Sequence, residues 1–182
     1  VTTVLDFGPP HVNFKPEQLE RFPICYVPRN LILFVWTERA EEIIEDSKQS
    51  DQILTVHIGE GVTEDSQSEM TQLAKLDGLW EKSLLVHGIA RTEEDLDRVH
   101  EKKAGLVWCP SSNMFLIGKT LNLPYCMEQE IPLILGTDSN NSGLKNILED
   151  IRCARDVALE QFGKTLTGME VLKMATINPA RF

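Results

Sequence analysis

The sequence predicts an α/β fold, a TIM-like (β/α) barrel incomplete or truncated at both ends, and three observations carry that expectation. Short apolar runs recur at 2–5, 24–27, 31–36, 53–57, 84–87, 106–109 and 133–135. They are continuous rather than alternating, as strands buried on both faces of a parallel sheet require. Segments with helical spacing separate the later runs, which is the (β/α)n pattern.

Taken in order, the first run, VTTVLD at 1–6, is β-branched and begins without a cap or leader, and residues 176–182 stop just after a helix. Both ends therefore read as cuts in a longer chain, and residues 1–182 as one barrel fragment. Residues 7–21, with Pro9, Pro10 and Pro16, form a long irregular connection. The segment 37–47 is rich in Glu and Ala, and 66–77 places Met70, Leu73 and Ala74 on one helical face. TEED at 92–95 has capping-box form ahead of Leu96 and Val99. Leu144, Ile147, Leu148, Ile151, Ala154 and Ala158 recur at helical spacing over 144–160, and TGME at 167–170 opens a last helix that ends before Asn178 and Pro179.

Composition narrows the function classes. Hydrophobic residues make up 42% and charged residues 25%, as in a globular chain able to build a core. The formal net charge of −10 argues against nucleic acid or an anionic membrane as partner, since both are bound by basic patches. No apolar run approaches the roughly 20 residues that span a bilayer. Cys25, Cys109, Cys126 and Cys153 form no CxxC, so free thiols and a reduced, cytoplasmic setting are expected.

Chemistry concentrates at strand ends. LTVHIGE at 54–60 ends in His57 and, three residues on, Glu60; SLLVHG at 83–88 closes on His87; PLILGTDS at 132–139 closes on Asp138 after a glycine. In a parallel barrel the carboxyl ends of all strands face one mouth, so these residues would converge. His57 and Asp138 suit a divalent ion such as Zn²⁺, and Glu60 beside it would move protons. A histidine at a strand end can instead be a satisfied structural group, and Gly-Thr-Asp a turn or a helix cap; the conjunction of three such ends favours a site. His11 lies in a loop and His100 on an amphipathic helix, both read as surface groups. WCPSSN at 108–113 closes another strand with polar groups, of which Asn113 reads equally as a substrate contact or a loop-holding residue. Cys109 has no basic neighbour in sequence to activate it as a nucleophile.

TVHIGEG at 55–61, LVHG at 85–88, VWCPSSNMFL at 107–116 and LGTDS at 135–139 resemble, in order, the amidohydrolase superfamily of metal-dependent hydrolases. The branch they are most similar to includes cytosine, guanine and S-adenosylhomocysteine deaminases and triazine chlorohydrolases. VTTV at 1–4 and NPAR at 178–181 resemble that family's second-strand and final-helix phrases. The resemblance implies that His57 and Asp138 are metal ligands, Zn²⁺ foremost with iron as the alternative. It implies that Glu60, His87 and Asp138 act in catalysis, with His87 polarising the substrate or the attacking water, and that Asn113 lies near the substrate. The implied activity is hydrolysis of a C–N bond, of deaminase type, in a heterocyclic or amide-like small molecule by a metal-activated water.

One departure stands against these matches. The family's first strand carries a His-x-His pair of ligands, and no His-x-His occurs among the 182 residues. The expectation is weakened metal binding, which keeps open a second reading, an inactive barrel fragment acting as a binding or scaffold protein. Open sheet edges in such a fragment would invite pairing, hence a homo-oligomer.

Overall fold

The computed structural model describes residues 2–4, 24–26, 29–32, 35, 37–139 and 141–182. His11, the irregular stretch 7–21 and the expected strand ends Leu5 and Val27 lie outside the described residues, as does the side chain of Cys25. Two short strands, β1 (Thr2–Val4) and β2 (Ile24–Tyr26), pair in parallel. The remaining five, β3 (Arg29–Ile32), β4 (Ile53–Ile58), β5 (Ser83–His87), β6 (Gly105–Trp108) and β7 (Leu133–Leu135), form one parallel sheet in sequence order. Sequential parallel neighbours joined by helices are the βα repeat of a barrel wall.

Both sheet faces are covered, as the continuous apolar runs require. Leu54, Val56, Ile58, Leu85, Leu106, Trp108, Leu133 and Leu135 face the helices. Ile53, Leu84, Val86, Val107, Cys109 and Ile134 make a smaller core on the opposite face, with Phe182 packed against it. The connecting helices are α1 (Ala40–Gln49), α2 (Glu64–Lys75), α3 (Glu93–Glu101), α4 (Pro110–Ile117), α5 (Leu123–Glu128), α6 (Ile147–Phe162) and α7 (Gly168–Ala175).

The capping boxes expected at Thr92–Asp95 and Thr167–Glu170 are both formed, each satisfying two otherwise orphaned helix N–H groups. Boundaries shift where side chains pack or cap. Of the run 31–36, residues 31 and 32 belong to β3, which begins earlier, at Arg29; Val35, 2% exposed, packs into the core from a turn, and 33, 34 and 36 lie outside the described residues. The helix expected from 144 begins at Ile147, since the Asn146 side chain accepts the Leu148 and Glu149 amides as its cap, and it runs on to Phe162 before Gly163 at φ +63°. α4 and α5 lacked a hydrophobic period to announce them, yet Pro110 opens α4 and the Asn122 side chain caps α5.

Among the described residues no helix is long and apolar enough to cross a membrane. Cys109, Cys126 and Cys153 are free thiols.

Leu85 is 0% exposed on β5, while Leu159 on α6 is 55% exposed. Leu85→Ala should cost about 2–5 kcal/mol through lost burial and the cavity left behind, whereas Leu159→Ala should stay within about 0.5 kcal/mol. Urea unfolding of the two variants measures the contrast.

Candidate active site

The site lies at the carboxyl rim of the sheet. β4 and β5 pair with His57 opposite Val86 and Ile58 opposite His87, which sets the two histidines side by side. Their ring centroids are 5.5 Å apart with the planes tilted by 36°. His57 is half-buried and shares its strand face with Ile53.

His87 reaches the site by breaking strand alternation. Two residues before it, Leu85 points among the helices, and strict alternation would send His87 there too. Its φ of +74° turns the chain into the left-handed region at the strand end. The buried ring then meets Asn113 Oδ1 with Nδ1 at 2.9 Å and Glu60 Oε2 with Nε2 at 3.5 Å.

Glu60 is placed by the loop after β4. Gly59, at φ +62°, adopts a backbone that a side chain would strain, and a Cβ there would come within 2.7 Å of Arg91 Nε. Its N–H donates to Glu69 Oε2 at 2.5 Å, and its carbonyl accepts the Ala90 amide at 3.0 Å. Arg91, buried alongside, donates to the Ser66 carbonyl and faces Asp95. Burial pushes the Glu69 carboxyl up, opposed by the Gly59 amide and the Arg91 charge. Glu69 and Arg91 carry no sequence signal of this role, since the partner of Glu69 is a loop amide 10 residues away and that of Arg91 a backbone carbonyl 25 residues away.

Asp138, at φ +57°, follows the end of β7 by three residues. Ser139 N–H donates to its Oδ1 at 2.7 Å and Ser142 Oγ to its Oδ2 at 3.2 Å. Burial alone would raise this carboxyl. The Ser112 hydroxyl, the facing His87 and the Ser139 and Ser142 donors outweigh burial and hold it below the ordinary aspartate range.

The structure thus gathers Glu60, His87 and Asp138, with one potential ligand atom from each all within 4.8 Å of one another. His57 adjoins this group through its ring contact with His87 rather than as a member of it. Asn113 is 1% exposed, and both ends of its amide are engaged, Oδ1 by His87 and Nδ2 by Thr120 Oγ1 at 3.3 Å. It therefore stands behind His87, with its amide engaged inside the protein. Cys109 is buried and its thiol is pushed well up, by burial first and then by Asp138, Asp150 and Glu60, in keeping with a non-nucleophile. His100 is exposed on α3, as expected.

Asp150 was not singled out from the sequence. It is 0% exposed on α6, takes the Ser111 hydroxyl at 2.6 Å on Oδ1, and has no hydrogen-bond partner on Oδ2 among the described residues. Burial raises this carboxyl against the opposing Ser111 hydroxyl and amide. Its only helix-pattern trace is its place beside the apolar positions Ile147, Ile151 and Ala154.

The model of the amidohydrolase family matches residues 36–182. The 5-methylthioadenosine/S-adenosylhomocysteine deaminase of Pyrococcus horikoshii is 29% identical over 151 residues, which cover 76% of this chain and 35% of that protein. Guanine deaminase of Homo sapiens is 32% identical over 104 residues, covering 54% and 23% respectively. The crystal structure of an adenosine deaminase from Xanthomonas campestris with bound zinc superposes with a TM-score of 0.76 at 22% identity, over 91% of this chain and 40% of that one, a likeness of fold. The chain spans about a third of the length of the first of these relatives. The expected α/β barrel architecture is the one it shares with them.

Because the Asp150 carboxyl is raised in the fold, its contribution to stability is full below the ordinary aspartate value and is lost as pH rises through the raised one. Asp150→Asn keeps an acceptor for Ser111 without the charge. Its stability relative to the unsubstituted protein should therefore climb with pH across that window and then level off, as read from urea unfolding at a series of pH values. A difference flat in pH would contradict the raised carboxyl.

Proposed function

From the chain's membership of the amidohydrolase family, we propose that residues 1–182 form a single barrel unit of a metal-dependent hydrolase that deaminates a heterocyclic or amide-like small molecule. The observation that carries this reading is the convergence of Glu60, His87 and Asp138 within 4.8 Å at the strand rim. A scaffold protein has no need to gather such groups.

Two carboxylates and an imidazole, with the second imidazole of His57 adjacent, are a donor set suited to a borderline divalent cation. His57 and Asp138 would hold it, zinc being the better fit to this mixed set and iron the alternative. When bound, the cation supplies Lewis-acid activation of water.

The protein's own groups supply the rest. Asp138, kept ionised by its hydroxyl and amide donors, accepts a proton from the attacking water. Glu60, whose side chain is 29% exposed, is open to the mouth and carries protons between that water and the leaving nitrogen. His87, fixed at the rim, polarises the group under attack. The water oxygen bonds to the sp² carbon, the C–N bond breaks, the amine leaves as ammonia, and the two water protons end on the leaving amine and the ring nitrogen. The free thiols fit a reducing, cytoplasmic setting. The net charge of −10 fits a small-molecule partner better than nucleic acid. β3 and β7 are the outer strands of the described sheet, where copies of the chain could pair as a homo-oligomer.

Zinc-loaded protein should release ammonia from 5′-methylthioadenosine, S-adenosylhomocysteine or guanine, followed by a coupled ammonia assay, and zinc content is read by elemental analysis. His57→Ala and Asp138→Ala should lose both zinc and turnover. Glu60→Gln should keep its zinc while turnover falls about 10²–10⁴-fold, the range for a lost general acid–base. Zinc lost from Glu60→Gln would make Glu60 a ligand and end the proton-carrier assignment, and zinc-loaded protein inert toward all three compounds would count against deamination.

A further inference from the structure

Glu60 is the least anchored of the three converging groups. Asp138 takes hydrogen bonds from Ser139 and Ser142, and His87 is bonded to Asn113. Among the described residues the Glu60 carboxylate has no such bond of its own and approaches His87 Nε2 at 3.5 Å. Its side chain is 29% exposed, as a group that carries protons in and out requires. The place of that carboxylate is therefore set by the backbone beneath it.

That backbone is gripped from two elements. From the end of β5, the Gly88 amide bonds the Ile58 carbonyl and the Ala90 amide the Gly59 carbonyl, both at 3.0 Å. From α2, Glu69 Oε2 takes the Gly59 N–H at 2.5 Å. The loop also lies close against α2, since a Cβ on Gly61 would strike the Ser66 hydroxyl. Glu69 is thus the side chain that ties the residue before Glu60 to the helix layer.

We infer that Glu69 is a positioning residue for Glu60, and that it acts through the reach of its carboxyl oxygen to the Gly59 N–H rather than through its charge. The inference rests on the reading of Glu60 as the proton carrier given above. A backbone N–H can only donate, so the sense of the bond is fixed, and a carboxyl oxygen accepts it in either protonation state. Glu69 is 6% exposed, which shields the bond from competing water. Glycine visits both hands of the backbone about equally, so the φ of +62° at Gly59 has to be imposed by partners. Without the Glu69 oxygen, the residue that aims Glu60 is freed on its N–H side.

The competing account is that Glu69 neutralises Arg91, whose side chain is buried. Distance decides between them. Arg91 has its ion-pair partner in Asp95, at 3.8 Å, and donates to the Ser66 carbonyl, whereas Glu69 meets the Gly59 amide at 2.5 Å. Burial raises the Glu69 carboxyl, and of the two influences that oppose it the Gly59 amide outweighs the Arg91 charge. A short bond from a backbone N–H to a carboxylate is also the stronger kind of hydrogen bond.

Two substitutions separate reach from charge. Glu69→Gln keeps the reach and drops the charge, while Glu69→Asp keeps the charge and draws the acceptor back by one carbon–carbon bond, about 1.5 Å. The test is NMR of the protein without added metal, reading the hydrogen exchange of the Gly59 amide and the nuclear Overhauser contact between the Glu60 side chain and the His87 ring. The unsubstituted protein and Glu69→Gln should show a protected amide and the contact. Glu69→Asp should lose both, with the resonances of β6 and β7 in place. In zinc-loaded protein that turns over a substrate, Glu69→Asp should lower kcat about 10²-fold, the scale for an ångström of misplacement, with KM and zinc content unchanged. The opposite order, with protection and contact kept in Glu69→Asp and lost in Glu69→Gln, would overturn the inference in favour of charge neutralisation. So would a Glu69→Asp variant indistinguishable from the unsubstituted protein. If either variant does not fold, the unsubstituted spectrum still decides, since a Gly59 amide without protection there removes the bond on which the inference stands. The spectra need neither metal nor turnover, so failure of the deaminase reading and failure of this one are separately visible.

Discussion

The rim depends on the parallel pairing of β4 with β5. Leu54 faces Ser83, and the ladder runs on in step to Ile58 opposite His87. Because every strand of this sheet runs the same way, all carboxyl ends arrive on one side. A slip of one residue in β4 would exchange its faces, burying His57 among the helices and turning Val56 toward the smaller core. The apolar sets Leu54, Val56, Ile58 and Ile53 forbid that slip, so register is specified by packing well away from the chemistry.

Around this rim the carboxyl groups behave differently, and both their burial and the donors facing them decide how, since Asp138 is half-buried while Glu69 and Asp150 are buried. Asp138 is held low because hydroxyl and amide donors and the His87 ring face it. Asp150, with Ser111 as its one donor and no partner on Oδ2 among the described residues, is raised by burial, and Glu69 is raised despite the Gly59 amide and the neighbouring Arg91. The carboxyl expected to stay charged for proton acceptance is the one the fold surrounds with donors. The raised ones serve structure: Glu69 fixes the loop that carries Glu60, and Asp150 fixes the turn that carries Ser112 and Asn113.

Much of the fold was legible because burial on both faces of a parallel strand leaves an unbroken apolar run, and because Thr92 and Thr167 announce their helices through local, short-range caps. The sequence pointed to His57, His87 and Asp138, each closing such a run, with Glu60 three residues past the first; the group that comes within 4.8 Å is Glu60, His87 and Asp138, with His57 alongside through its ring contact with His87. The supporting residues were not legible. Glu69, Arg91 and Asp150 act through contacts whose partners are a loop amide, a carbonyl 25 positions away and a serine 39 positions away, and no periodicity encodes these. Asn113 was visible as a polar residue after a strand, but its direction, toward the back of a histidine, depends on a helix that the apolar pattern does not reveal, since α4 buries only its first turn.

The three converging donors have one backbone feature in common. His87 and Asp138 are themselves left-handed, at φ +74° and +57°, and Glu60 directly follows Gly59 at +62°. For residues with a side chain such a conformation costs of order 1–3 kcal/mol and persists only where neighbours over-determine it. Here they do: the Gly88 amide reaches back to the Ile58 carbonyl at 3.0 Å, Asn113 holds the His87 ring, and Ser139 and Ser142 hold the Asp138 carboxylate. In an extended conformation His87 would follow Leu85 into the helix layer and become a buried imidazole with nothing to act on. The change of hand at the strand end is therefore what separates a rim donor from a core residue, and the hydrogen bonds that enforce it are the ones that orient the chemistry.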